Sequence, residues 1–275
     1  MITTRLSGAR HRNDTVASAR GGPSNAPWIA ARAEPGSVLL FGGSDVVDFR
    51  IRVAQAHLRG DLLPSFWSAA GILVSRTTFL SVPIDEQLVP EIVPSANAIH
   101  ECRVADYDNP LRYPNVAVIS FANQAGAVVE YARRLQAQRS AIDLPQLLVP
   151  WLAFVWGAGS SGNPLLQNIG VPSAAFVETV FAMGGVELTP GIGSGAGSPE
   201  AIWQSAIWWH DYYRRTAEAP VAGRVSADPS ATRDLTARVP TGQFVTRQPA
   251  AAVVEAQDIA RRGRARRKKP GGRSR

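Results

Sequence analysis

Four groups of residues have types and spacings that could do chemistry. Residues 157–162 (GAGSSG) read as G-x-G-x-x-G directly after an apolar run, LLVPWLAFVW. Glycines so placed let the backbone approach a dinucleotide pyrophosphate, but only where the turn opens a helix inside a βαβ unit with a ribose-binding acid nearby. Here NPLLQNIGVP follows and ends after about two turns, so a surface loop is the favoured reading and no cofactor is expected. Residues 191–198 (GIGSGAGS) also lead into a helical pattern, where backbone N–H groups can face an anion. No Lys-Ser/Thr ends the stretch, so it is not a phosphate-cradling loop of the Walker type and reads as flexible.

Cys102, the single cysteine, lies in IHECRVA. Strand alternation places His100 and Cys102 on one face and Glu101 on the other. A nucleophilic thiol needs a base that reaches it from another element, so the expectation is a small buried hydrophobe. One cysteine also excludes an intramolecular disulfide and a thiolate zinc cluster. The fourth group is aromatic: Trp203, Trp208, Trp209, Tyr212 and Tyr213. At helical spacing Ile202, Trp203, Ala206, Trp209, His210 and Tyr213 form one stripe, which favours core packing over a stacking platform for sugars or bases.

The elements that must position these groups follow from periodicity. Residues 37–41 (SVLLF) suit a buried strand ended by Gly42-Gly43, after which Ser44 can cap a helix with Val47, Ile51, Ala54 and Leu58 on one stripe. Further strands are expected at 70–74, 79–83, 98–104 and 116–121, close enough in sequence to pair antiparallel. A helix is expected from Asn123, another over 174–183 ended by Gly184-Gly185, and a third over 199–215 with Ser198 as N-cap and Pro199 in the first turn. A helix, a run of strands and then more helices is an α+β pattern in one domain, 35–216, with an antiparallel sheet packed against helices. Residues 1–34 are expected to be a flexible arm and 217–275 a disordered tail.

Composition narrows the function classes. The formal net charge is +7, yet residues 261–275 hold nine of the 29 basic residues and no acid, which leaves 20 basic against 22 acidic residues before them. The basicity therefore belongs to the tail, which can recruit an anionic partner such as nucleic acid, a membrane surface or an acidic protein. A nucleic-acid-binding domain would instead spread basic and aromatic residues over a folded face. The first 22 residues lack an apolar h-region, although their Arg and Ser content is similar to a transit peptide's, and no run spans a bilayer. A soluble, cytoplasmic protein without a transmembrane segment is expected.

PGSVLLFGGSDVVDFRIRVAQ, PSFWSAAGILV, AIHEC and VPSAAFVETVFAMGGVELTPG occur in an order that resembles the circularly permuted, NlpC-type (YiiX-like) papain-like cysteine peptidases and amidases, over about residues 35–191. The resemblance implies a papain-like fold, with a nucleophilic Cys at a helix N-terminus, a His reaching over from a strand and a polar group orienting the imidazole. Carried onto this chain, the Cys position falls on Ser173, the His position on Ala69 and the orienting position on Glu101. It further implies a peptide, peptidoglycan or acyl-conjugate ligand in the cleft. Alanine cannot move a proton and serine without a base is a weak nucleophile, so the expectation is a pseudoenzyme or an inactivated thiol hydrolase. The alternative is a non-catalytic binding or assembly protein that acts through its basic tail.

Overall fold

A computed structural model of the chain describes residues 24–84, 98–121, 125–138, 144–157, 161–218 and 232–238. The apolar runs become strands close to the expected places: β1 (Val38–Gly42), β2 (Ala69–Leu73), β3 (Thr78–Ser81), β4 (His100–Arg103) and β5 (Asn115–Phe121). A sixth, β6 (Thr232–Arg238), joins them from far along the chain. Together they form one sheet in the order β4-β3-β2-β1-β5-β6, with every neighbouring pair antiparallel. The α+β class and the antiparallel sheet packed against helices are therefore as expected.

Both faces of the sheet are covered, which explains why β1 is buried along its whole length instead of alternating. Val38 and Leu40 of β1, Ala70 and Ile72 of β2, and Ala117 and Ile119 of β5 face the larger core. That core is closed by α2 (Val46–Ala54), α3 (Ala125–Ala137), α4 (Leu144–Trp156), α5 (Pro172–Met183) and α6 (Pro199–Glu218). Leu39, Phe41, Leu73, Val116 and Val118 face the other way, against α1 (Asn25–Ala30) and the turn Val104–Tyr107. On this second face Phe41, Phe79, Tyr107 and Tyr113 form a connected aromatic layer. The Phe79 ring lies over Gly71, where a β-carbon would come within 2.6 Å of it. Glycine is needed at position 71 for that ring to close on the strand.

Several boundaries differ from the sequence expectation. Residues 24–34 belong to the fold: Ile29 is fully buried, and Asn25 donates its side-chain amide to the Tyr107 and Tyr113 carbonyls. The domain also extends past residue 216, since α6 runs to Glu218 and β6 follows. The remainder of the expected arm and tail, including 261–275, lies outside the described residues. Asp45, not Ser44, caps α2 by accepting from the Asp48 amide, while the Ser44 hydroxyl donates to the Leu111 carbonyl. The apolar run ahead of residue 157 forms α4 with Pro150 inside it. Proline in a helix interior costs about 3 kcal/mol, which burial of Leu148, Trp151, Leu152 and Val155 offsets. No helix among the described residues is long and apolar enough to cross a membrane.

Candidate functional site

Ser173 lies in the first turn of α5, the helix that packs on β2, and is 2 % exposed. Val171 occupies the N-cap position and Pro172 the first helical position, so Ser173 is one residue inside the helix and does not cap it. Its Oγ accepts the Ala70 amide of β2 at 3.2 Å. The hydroxyl thus satisfies a strand N–H that would otherwise face the apolar underside of α5.

Ala69 is the neighbour of Ala70, but it points the other way. In the β1–β2 ladder Ala69 sits opposite Phe41, whose ring belongs to the second face, whereas Ala70 belongs to the larger core with α5. Alternation therefore directs the Ala69 side chain away from Ser173. Glu101 is on edge strand β4, opposite Leu80, two strands removed from β2. Two strand spacings correspond to about 10 Å. Its carboxylate is held by Arg133 of α3 at 2.7 Å, and this hydrogen bond lowers its pKa. The structure brings Ser173 against β2, and it does not gather Ala69, Ser173 and Glu101 into one polar cluster.

Cys102 and His100 share a face of β4, as alternation requires. The Cys102 side chain packs beside Tyr107 at the rim of the second core, and burial pushes the thiol up to about 11. A thiol so shifted is protonated at neutral pH and is a poor nucleophile. Of the helical aromatic stripe, Ile202, Trp203 and Ala206 are buried and Trp203 packs on Trp67, so this part is core. Trp208 and Tyr212 are instead exposed and stack on one another with rings 5.4 Å apart. Residues 158–160 of the G-x-G-x-x-G stretch lie outside the described residues, and Gly157 follows α4 at a left-handed φ of 65°. A helix leads into the stretch, and a dinucleotide turn requires a strand there.

Three polar groups, Glu200 and Glu178 buried and Asp48 half-buried, were not singled out by sequence reasoning. Glu200, fully buried in the first turn of α6, accepts from the Ser65 hydroxyl and the Gln204 amide, each at 2.6 Å. Asp48 turns its carboxyl against the Gly43 backbone and Ser68; burial, then the charge of Asp45, raises it to about 7. Glu178, on α5, is raised to about 8 by burial, opposed in part by the nearby Thr189 hydroxyl. An acid on an otherwise apolar helix (PSAAFVETVFAM) was the available signal for Glu178. Glu200 gave none, because Ser65 is 135 positions away.

Among the described residues no group of three or more His, Cys, Asp or Glu side chains could hold a metal ion. No family model, curated protein or solved structure matches the chain.

Proposed function

We propose that this chain is a catalytically silent protein on a papain-like, NlpC-type scaffold, one that binds a peptide, peptidoglycan or acyl conjugate and does not hydrolyse it. The observation that carries the reading is the state of Ser173. Its hydroxyl is buried at the start of α5 and occupied by the Ala70 amide, with no histidine or carboxylate hydrogen-bonded to it among the described residues. A serine so held has no acceptor for its proton, and triad losses of this kind cost on the order of 10⁶ in rate. The start of α5 packs on β2 as the resemblance implies, although Ala69 faces the opposite side of that strand.

Two measurements test the reading. The wild-type chain is expected to leave amide and thioester substrates intact; turnover that disappears in Ser173→Ala would overturn silence. A muramyl peptide titrated into the wild-type chain is expected to change its tryptophan fluorescence saturably. No saturable change with muramyl, acyl-thioester or peptide probes would overturn the binding assignment.

The segregated charge favours a second reading. Nine basic residues and no acid in 261–275 suit a non-catalytic assembly protein that recruits a polyanion. Binding to heparin that weakens steeply with salt and vanishes when 261–275 is deleted is expected; salt-insensitive or tail-independent binding refutes it.

A further inference from the structure

Among the described residues Glu178 has no charged partner. It is 4 % exposed, and its Oε1 completes no hydrogen bond among the described residues; Thr189 Oγ1, equally buried, completes none either. What covers the carboxyl is the glycine-rich strap 191–198. The Gly170 amide donates to the Gly195 carbonyl at 2.8 Å and the Val171 amide to the Gly197 carbonyl at 2.9 Å. These bonds stitch the strap to the two residues that precede α5. The Gly197 backbone runs directly over the acid, so that a β-carbon there would collide with both carboxyl oxygens. One on Gly170 would lie 2.6 Å from the Gly197 carbonyl oxygen. The outer side of the strap is open to solvent at Gly191, Ile192, Gly193 and Gly195.

The described surroundings hold nothing to neutralise a carboxylate. β2, β3, the described part of α4 and the strap itself bring no ionisable side chain against α5. From α3 come Glu130, Tyr131, Arg133 and Arg134, of which Arg133 is engaged by Glu101. From α6 come Glu200, held by Ser65 and Gln204, and His210, Asp211 and Tyr212 farther along. The turn after α5 brings Glu187, which is exposed. No described side chain forms an ion pair with Glu178. A buried carboxylic acid is tolerable while it keeps its proton, whereas an unpaired carboxylate in the same place is driven towards water.

We propose that residues 191–198 form a lid over α5 that lifts when Glu178 gives up its proton. Lifting breaks the Gly170 and Val171 bonds and gives water access to Glu178, Thr189 and the buried start of α5 at Ser173. The direction in pH follows from linkage. With the lid open the acid has its ordinary value of 4.5, and with it closed about 8. The closed form binds the proton more tightly, so closure is fully favoured below about pH 4.5 and is lost progressively up to about pH 8. Above that both forms are ionised and the balance is constant.

The test is hydrogen exchange of the full chain at the Gly170 and Val171 amides, corrected for intrinsic rates, across this window. Protection is expected to fall by up to about tenfold per pH unit and then level off, while amides of β1 and β5 keep theirs. In Glu178→Gln the protection at 170 and 171 should be flat with pH. Constant protection in the wild type, a parallel fall in the central strands, or a Glu178→Gln profile that matches the wild type would each overturn the lid. If Glu178→Gln does not fold, the wild-type profile decides alone through where it levels off. The lid does not depend on catalytic silence, so either can fail without the other.

Discussion

Replacing Glu200 by alanine should be among the most damaging single changes in the fold. The carboxylate is fully buried and receives two short hydrogen bonds, from Ser65 and Gln204, with the Arg59 guanidinium 3.8 Å away. It also sits two residues past the Ser198 cap, where the α6 dipole favours negative charge. Hydrogen bonds to a charged group contribute roughly 1.5–3 kcal/mol each. Part of this is returned, because Arg59 keeps its bidentate pair with Asp61 and the exposed side of Gln204 can turn to water. The buried Ser65 hydroxyl has no such recourse. A loss of about 3–4 kcal/mol is expected for Glu200→Ala, in the lower part of the roughly 3–5 kcal/mol found when one partner of a buried charged pair is removed. Glu200→Gln keeps the shape and one acceptor and should lose about half as much. Urea unfolding followed by tryptophan fluorescence would report both, since Trp67 and Trp203 pack 4.9 Å apart beside this network. In a double-mutant cycle Ser65→Ala should couple to Glu200→Ala by about 1–2 kcal/mol. A Glu200→Ala loss under about 1 kcal/mol, or additivity with Ser65→Ala, would refute the view that this network anchors α6 to the segment before β2.

Two other perturbations have signs fixed by the geometry. Asp48 is raised from 3.8 to about 7, so its contribution to stability is fully present below about pH 4 and is lost as pH rises to 7. Asp45→Asn keeps an N-cap of equal quality while removing the charge next to Asp48, and should flatten that part of the pH–stability curve; an unchanged slope in urea titrations at several pH values contradicts it. Gly71→Ala should cost about 1–3 kcal/mol by overpacking, because its β-carbon meets the Phe79 ring at 2.6 Å and the Leu80 carbonyl at 2.9 Å. Phe79→Leu should recover part of that loss in the double variant, and strict additivity in chemical denaturation argues against ring contact as the cause.

The five strands read from apolar runs are present because local pattern and tertiary burial agree there. β6 was missed because TRDLTAR presents only Leu235 and Ala237 as apolar residues; its strand state comes from pairing with β5. α1 was missed for a related reason, since NAPWIA is six residues with a proline and is held mainly by Ile29 in the second core and the Asn25 bonds. Pro150 made α4 look like a broken run, although burying four apolar side chains outweighs one lost backbone bond. At the candidate site, the position of Ser173 at the start of α5 was legible, whereas its place inside the first turn and its partner on β2 were not. Nor could alternation place Ala69 on the far face until the register against Phe41 was fixed. Register is a long-range property, and a shift of one residue exchanges the two faces.

The position of β6 sets the timing of assembly. Its partner β5 is complete at Phe121, and the pairing strand begins only at Thr232. At roughly 5–20 residues per second of synthesis, the intervening stretch of about 110 residues takes on the order of 5–20 s to appear. Throughout that interval the β5 edge of a growing chain presents open N–H and C=O groups beside Val116, Val118 and Ile119, an invitation to a neighbouring nascent chain. Aggregation during expression should therefore depend on translation speed between residues 122 and 231, and adding the 232–238 segment in trans as a peptide should suppress it.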